Sequence, residues 1–292
     1  MPSIAIIGPG AIGGTLASLL LENSDNKVSI CARTPFEQLQ VTAAGQTTTR
    51  DVTVHTDSTA TSPVDWILLA TKTYQVPQAA NWFPCLSGPH TRIAVVQNGV
   101  EHLANLTPYF PSERIVPVII DCPAERRSHG QIVRHGDVRI DIPDTENAVA
   151  FAKLFTDPAV KANLTTDWTS AAWRKLCINA AGAISALVNQ PANVAATPQA
   201  AAIMEALIRE TIAVGRAEGA TLDESIIPTI IANAAAAPAG SMNSLHADLV
   251  ARRPMEWDSR NGVIARLGQI HGIPTPYNQM AAQILSLLES NP

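Results

Sequence analysis

No two cysteines of this chain stand in a Cys-x-x-Cys pair; Cys31, Cys85, Cys122 and Cys177 are scattered. They read as reduced, structural thiols of a cytosolic protein. The 7 histidines show neither His-x-His nor His-Glu-x-x-His spacing, so no metal site is expected. Long apolar runs are missing too. Nothing approaches the ~18 uninterrupted apolar residues of a membrane helix, and the short apolar start lacks the basic residues of a signal peptide. A cytoplasmic protein with no membrane partner is therefore expected. Basic charge is not in excess: 20 Lys and Arg against 25 Asp and Glu leave a net charge of −5, which argues against a nucleic-acid partner. Internal repeats and low-complexity tails are absent as well. What remains is a 292-residue chain with 46% hydrophobic and 15% charged residues. That describes a folded protein with an ample core and room for two domains.

The most informative stretch is the first. Ser3-Ile4-Ala5-Ile6-Ile7 is an apolar run of the kind a buried parallel strand needs, and Gly8-Pro9-Gly10-Ala11-Ile12-Gly13 follows it directly. An alanine- and leucine-rich helical pattern comes next. In that context Gly8 permits the tight turn out of the strand, Gly10 lets backbone approach a pyrophosphate, and Gly13 lets the helix pack against the sheet. The helix N-terminus offers unpaired N–H groups to the phosphates. Pro9 falls at a variable position, so the pattern survives it. A glycine-rich structural turn is the alternative to dinucleotide binding.

The second strand pattern, Lys27 to Ala32, ends at Arg33. An NAD-binding unit would place an Asp or Glu here for the ribose 2′-hydroxyl. A guanidinium suits a 2′-phosphate, so NADP is favoured, with an ordinary strand-end arginine as the alternative. Gln38 to Asp57 reads as short strands and loops. Further strand patterns over Val64–Ala70 and Arg92–Val96 end in Thr71-Lys72 and Gln97-Asn98-Gly99. Short apolar runs alternating with helical stretches indicate βαβ units and a parallel sheet, whose ligands lie beyond the carboxyl ends of its strands. Lys72 and Asn98 fall at that edge, as ligand contacts or as loop caps. Ile115–Ile120 is one more strand. Gln131 to Ile142 alternates around Gly136-Asp137, which predicts an antiparallel hairpin closing the sheet. A helix over Glu146–Phe155 and a break at Asp157-Pro158 follow. From Asp167 no strand signal returns, and alanine-rich helical patterns fill the rest, one of them opened by Pro198. The expected fold is α/β: an N-terminal Rossmann-type doubly wound sheet over residues 1–166, then an all-helical domain over residues 167–292. Asp157–Asp167 is expected to hold the boundary.

In this order the chain resembles the ketopantoate reductase (2-dehydropantoate 2-reductase) family along nearly its whole length. The residues that carry the resemblance are Gly8–Gly13, Thr71-Lys72 with Gln75, Gln97-Asn98-Gly99, and Trp173-Arg174-Lys175-Leu176 with Asn179. Asn189-Gln190-Pro191-Ala192-Asn193, Ser244 with Asp248, Glu256-Trp257-Asp258 with Asn261-Gly262, and His271 to Pro276 with Asn278 complete it. The resemblance implies NADPH-dependent reduction of a small 2-keto acid, with Lys175 as the catalytic lysine. Asn98, Asn179, Asn193 and Ser244 would hold substrate. Arg33, Lys72, Asn98 and Glu256 would touch cofactor or order the site, Glu256 also serving catalysis. A monomer or homodimer is implied. At Ala183 the family usually presents an asparagine to substrate; either Ser185 or a water compensates, or the substrate is a different 2-keto acid.

The residues support this chemistry independently. Lys175 and Asn179 are four apart and share a helix face. A lysine flanked by Trp173 and Leu176 could protonate a ketone oxygen as hydride reaches the carbon. Two other readings stand beside it. One is a related NAD(P)-dependent dehydrogenase of the same architecture acting on another keto or hydroxy acid. The other is a dinucleotide-sensing protein that keeps the fold without the chemistry.

Overall fold

The computed structural model describes residues 1–290. Two compact units emerge: Met1–Gln97 with Glu101–Trp168, and Asn98–Val100 with the residues from Thr169 on. The chain runs β1 (Ser3–Ile7), α1 (Ala11–Leu20), β2 (Lys27–Cys31), β3 (Gln38–Ala43), β4 (Gln46–Asp51), β5 (Thr53–His55) and β6 (Trp66–Leu69). It continues with α2 (Val76–Ala79), α3 (Phe83–Leu86), β7 (Arg92–Val96), α4 (His102–Leu106), β8 (Ile115–Asp121), β9 (Ala124–Ser128) and β10 (Gln131–Arg134). Next come β11 (Val138–Pro143), α5 (Glu146–Ala152) and β12 (Val160–Thr165).

Strands β5-β2-β1-β6-β7-β8 pair in parallel in that spatial order. This is the doubly wound order with its switch point between β1 and β6, where ligands bind. The apolar strands are buried on both faces because alternate residues feed two cores. Ile4 and Ile6 join a cluster with Leu16, Leu20 and Phe151. Ala5 and Ile7 face the other way, into a cluster with Val76, Phe83 and Phe110.

The expected hairpin over Gln131 to Ile142 does not form. Its two halves lie in different sheets. β11 pairs antiparallel with β8 at the edge of the large sheet, while β10 lies in a separate sheet of order β4-β3-β10-β9. A two-residue hairpin turn needs positive φ, and Gly136 does not adopt it. That geometry sits instead at Ala44 (φ 49) and Gly45 (φ 78), which join β3 to β4. The small sheet lays Leu39, Val41 and Ile132 over α1, within the core that holds Leu16 and Leu20. The stretch expected to be a boundary also carries structure: β12 pairs in parallel with β11.

From α6 (Trp168–Ala181) onward no strand occurs among the described residues. The helices are α7 (Ala183–Leu187), α8 (Pro198–Ala217), α9 (Ile226–Ala235), α10 (Ser244–Val250), α11 (Val263–His271) and α12 (Pro276–Ser290). Thr197 caps α8 through the Ala200 N–H, with Pro198 in the first turn, and Asn243 caps α10. Trp173, Leu176, Met204, Ile208 and Val263 build the core of this unit. Asp258–Gly262 forms a π-helical turn leading into α11, a feature that often accompanies function.

Candidate active site

In the first unit the glycine loop has the constraints its pattern demands. Gly8 adopts φ +92, and a Cβ there would lie 2.8 Å from Thr71 Cγ2. A Cβ on Gly13 would lie 2.2 Å from the Gly8 carbonyl oxygen, so any other residue would push α1 off the turn. Gly10 differs: nothing lies within 4 Å of where its Cβ would be. Its bareness serves no internal packing and leaves the backbone open to a ligand. No side chain caps α1, and its first turn holds no acidic residue. The first N–H groups and the positive end of the helix dipole are thus available to an anion. Pro9, Ala11 and Ile12 complete this half-buried loop. The cradle fits a pyrophosphate.

Arg33 is exposed just beyond β2, and Lys72 is half-buried just beyond β6. The Lys72 N–H donates to Gln75 Oε1 at 3.2 Å. Gln97 is buried and donates from Nε2 to the Thr71 carbonyl at 2.9 Å and to Thr71 Oγ1 at 3.1 Å. This tie locks the carboxyl ends of β6 and β7 together.

The second unit gathers a polar chain. Asn179 Nδ2 donates to Asn98 Oδ1 at 3.4 Å, and Asn98 Nδ2 donates to Glu256 Oε2 at 3.3 Å. Asn98 follows β7 in sequence but belongs by its contacts to this unit. Gly99, at φ +101, lets the segment approach the π-turn: a Cβ there would sit 3.1 Å from the Ser259 carbonyl. Glu256 is buried, at 4% exposure. Arg260, 3% exposed, lies in the field of both Glu256 and Asp248. Burial pulls its guanidinium below the ordinary value, and the two carboxylates oppose that shift. Arg260 Nη2 donates to Ser244 Oγ at 2.7 Å, and Arg253 Nε donates to Asp248 Oδ1 at 3.0 Å. Lys175 is half-buried on α6, one turn before the buried Asn179.

The fold therefore brings Asn98, Asn179 and Glu256 into one hydrogen-bonded chain, with Ser244 joined to Arg260. Asn193 is exposed on the 3₁₀ turn Ala192–Ala196, and no hydrogen bond links it to this chain among the described residues. Trp173 and Leu176 do not flank Lys175 on its own face. They sit two residues before and one after it, positions that point elsewhere on a helix, and both are packed into the helical core. Ala183 does not prolong the Lys175–Asn179 face either. α6 stops at Ala181, and Ala183 opens α7 inside an apolar cluster with Leu245, Met255 and Leu285; Ser185 on the same helix is also buried. Arg260 is the residue that sequence reading missed. Its position four after Glu256 was the available signal, but an arginine in a charged-looking segment gives no hint of near-complete burial.

Residues 4–147 match the family model described as ketopantoate reductase PanE/ApbA, and residues 167–289 match its C-terminal counterpart. A 2-dehydropantoate 2-reductase of Caulobacter vibrioides is 45% identical over 286 residues, covering 98% of this chain and 99% of the relative. One from Mycobacterium tuberculosis is 34% identical, with 99% of this chain and 98% of the relative covered. A crystal structure of a PanE/ApbA family ketopantoate reductase from Ralstonia eutropha superposes with a TM-score of 0.90 at 26% identity, over 99% of this chain and 98% of that one.

Proposed function

The chain belongs to the ketopantoate reductase family, and from that premise we propose that it reduces 2-dehydropantoate to pantoate with NADPH. The observation that carries this is the 45% identity to a relative of that name across 98% of the chain. Bound NADPH supplies the hydride that reaches the carbonyl carbon. For its binding, Gly8 to Gly13 would cradle the pyrophosphate, Arg33 would pair with the 2′-phosphate, and Lys72 and Asn98 would line the ribose side. The division into a nucleotide-binding part, residues 1–166, and a substrate part, residues 167–292, belongs to the same proposal.

Lys175 donates a proton to the ketone oxygen as that oxygen gains charge, so hydride and proton together complete the hydroxyl group. Asn179 and Asn98 orient the substrate through amide donors and acceptors, and Asn193 and Ser244 bind it at its periphery. Glu256 holds Asn98 in place, because a buried carboxylate retains the amide that donates to it. The setting proposed is a cytoplasmic monomer or homodimer; no described helix is long and apolar enough to cross a membrane.

One observation supports a second substrate reading. The position where the family pattern has asparagine is the buried Ala183, so another small 2-keto acid remains in the panel. NADPH consumption with 2-dehydropantoate and with several branched and unbranched 2-keto acids tests both. The highest kcat/KM is expected for 2-dehydropantoate. A clear preference for another acid selects the second reading, and no turnover with any of them overturns the function.

A further inference from the structure

The substrate proposed above carries a carboxylate beside its ketone, and a carboxylate can only accept hydrogen bonds. It must therefore meet donors that are not already committed. Asn98 has little to spare: one of its two Nδ2 hydrogens already goes to Glu256 and its Oδ1 already accepts from Asn179, leaving it a single hydrogen for substrate. Ser244 is different. It is exposed at the start of α10, and its Oγ accepts from a buried guanidinium at 2.7 Å. With a lone pair taken by that charged donor, the hydroxyl hydrogen is turned away and left to another acceptor. Charge-assisted donation also polarises the O–H, making it a stronger donor.

Arg260 is otherwise costly where it is. Desolvating a cation carries a large penalty, and its Nε–H is a buried donor with no hydrogen-bond partner among the described residues. The carboxylates that compensate it, Glu256 and Asp248, are also buried, and Asp248 is shared with Arg253. Stability alone gives no reason to retain such a group beside an exposed serine. We propose that Arg260 is a positioning residue for the substrate's carboxylate: it fixes Ser244 as a hydroxyl donor and places a buried positive charge behind it. This rests on the function proposed above.

The test compares the 2-keto acid with its primary amide, which is uncharged and similar in shape, using NADPH as donor. Ser244→Ala is expected to lower kcat/KM for the acid by about 10–100-fold, chiefly through KM, the order set by a hydrogen bond to a charged group. The amide, whose carbonyl accepts only an uncharged hydrogen bond from that hydroxyl, should lose several-fold less, so the preference for the acid narrows. Arg260→Gln should narrow the same preference, and Arg260→Lys should recover part of it. Ser244→Ala combined with Arg260→Gln should be no worse than the weaker single variant, because both act through one hydroxyl.

A purely structural role for Arg260 predicts otherwise: acid and amide would suffer equally, and the two substitutions would multiply. Either result overturns the proposal. If Arg260→Gln fails to fold, Ser244→Ala and Ser244→Thr still decide it. Threonine keeps the hydroxyl and should retain the acid preference; its narrowing in Ser244→Thr, or its undiminished survival in Ser244→Ala, overturns the proposal. Turnover by the unmodified protein separates the two levels. No reduction of any 2-keto acid strikes the function itself, whereas reduction with an acid preference indifferent to Ser244 and Arg260 strikes only the positioning role.

Discussion

Lys175 lies half-buried one helical turn from Asn179, whose amide begins the chain leading through Asn98 to Glu256. The proton donor proposed for that position should matter for turnover and not for cofactor affinity, which the proposal assigns to the glycine loop. Lys175→Ala is expected to lower kcat about 10²-fold or more, with NADPH affinity unchanged in a fluorescence titration. A raised KM with intact kcat would reassign the lysine to substrate binding. Lys175→Arg should rescue poorly, because a guanidinium holds its proton more tightly and has a different shape. Arg33 makes a separate prediction. It stands exposed at the end of β2, where a carboxylate would repel a 2′-phosphate. Arg33→Asp should shift the ratio of kcat/KM between NADPH and NADH toward NADH by about tenfold or more. Equal efficiency with both cofactors in the unmodified protein would remove Arg33 from cofactor choice.

Among the elements, the π-turn Asp258–Gly262 depends on a buried asparagine pair. Asn261 Nδ2 donates to Asn278 Oδ1 at 2.9 Å and to the Ala180 carbonyl at 3.3 Å. Asn278 Nδ2 donates to Glu210 Oε2 at 2.7 Å and to the Leu207 carbonyl at 3.1 Å. Both asparagines are fully buried, so α6, α8, α12 and the π-turn meet through two amides. Asn278→Ala would leave one Asn261 amide hydrogen without an acceptor in a site water does not reach, while the Leu207 carbonyl keeps the Thr211 hydroxyl at 2.7 Å. A stranded buried polar group costs ~1–3 kcal/mol, and a loss of about that size is expected. Urea unfolding with an unchanged m-value is the measurement. A shift below about 1 kcal/mol would mean that the helices reconnect without the pair.

At the scale of the whole molecule, acid should destabilise the fold through buried neutral histidines. His102, 4% exposed, places Nε2 2.8 Å from the Gln97 carbonyl, so Nε2 carries the hydrogen and Nδ1 is left without a partner. Burial holds its pKa below the ordinary 6.5, against the opposing pull of the Gln97 carbonyl. His246 is lowered by burial as well. In the unfolded chain both recover ordinary values. Above pH 6.5 neither state binds the proton and stability is fully present. As pH falls below that value the unfolded chain protonates first, and each histidine removes up to ~1.4 kcal/mol per pH unit until its folded pKa is reached. His102→Gln is expected to flatten the dependence of unfolding free energy on pH between 6.5 and 5, whatever it does to absolute stability. An unaltered slope would clear His102 of the effect.

Much of this protein was written into local sequence. The glycine loop, the apolar strands and the strandless second half were legible because each depends on neighbours in the chain. A tight turn demands glycine at Gly8, a two-sided parallel strand demands continuous apolar residues, and Pro198 suits only the first turn of a helix. The family followed from motifs in order. Partnership was not legible. The alternation over Gln131 to Ile142 announced two strands correctly, but period-2 patterning is blind to which sheet a strand joins, and the halves went to different ones. β12 was missed because an edge strand with exposed Lys161, Ala162, Asn163 and Leu164 carries no burial signal. Arg260 was missed for a related reason. Whether a charged side chain meets water or a serine and two carboxylates depends on residues distant in sequence, and only the tertiary fold brings Ser244, Asp248 and Glu256 around it.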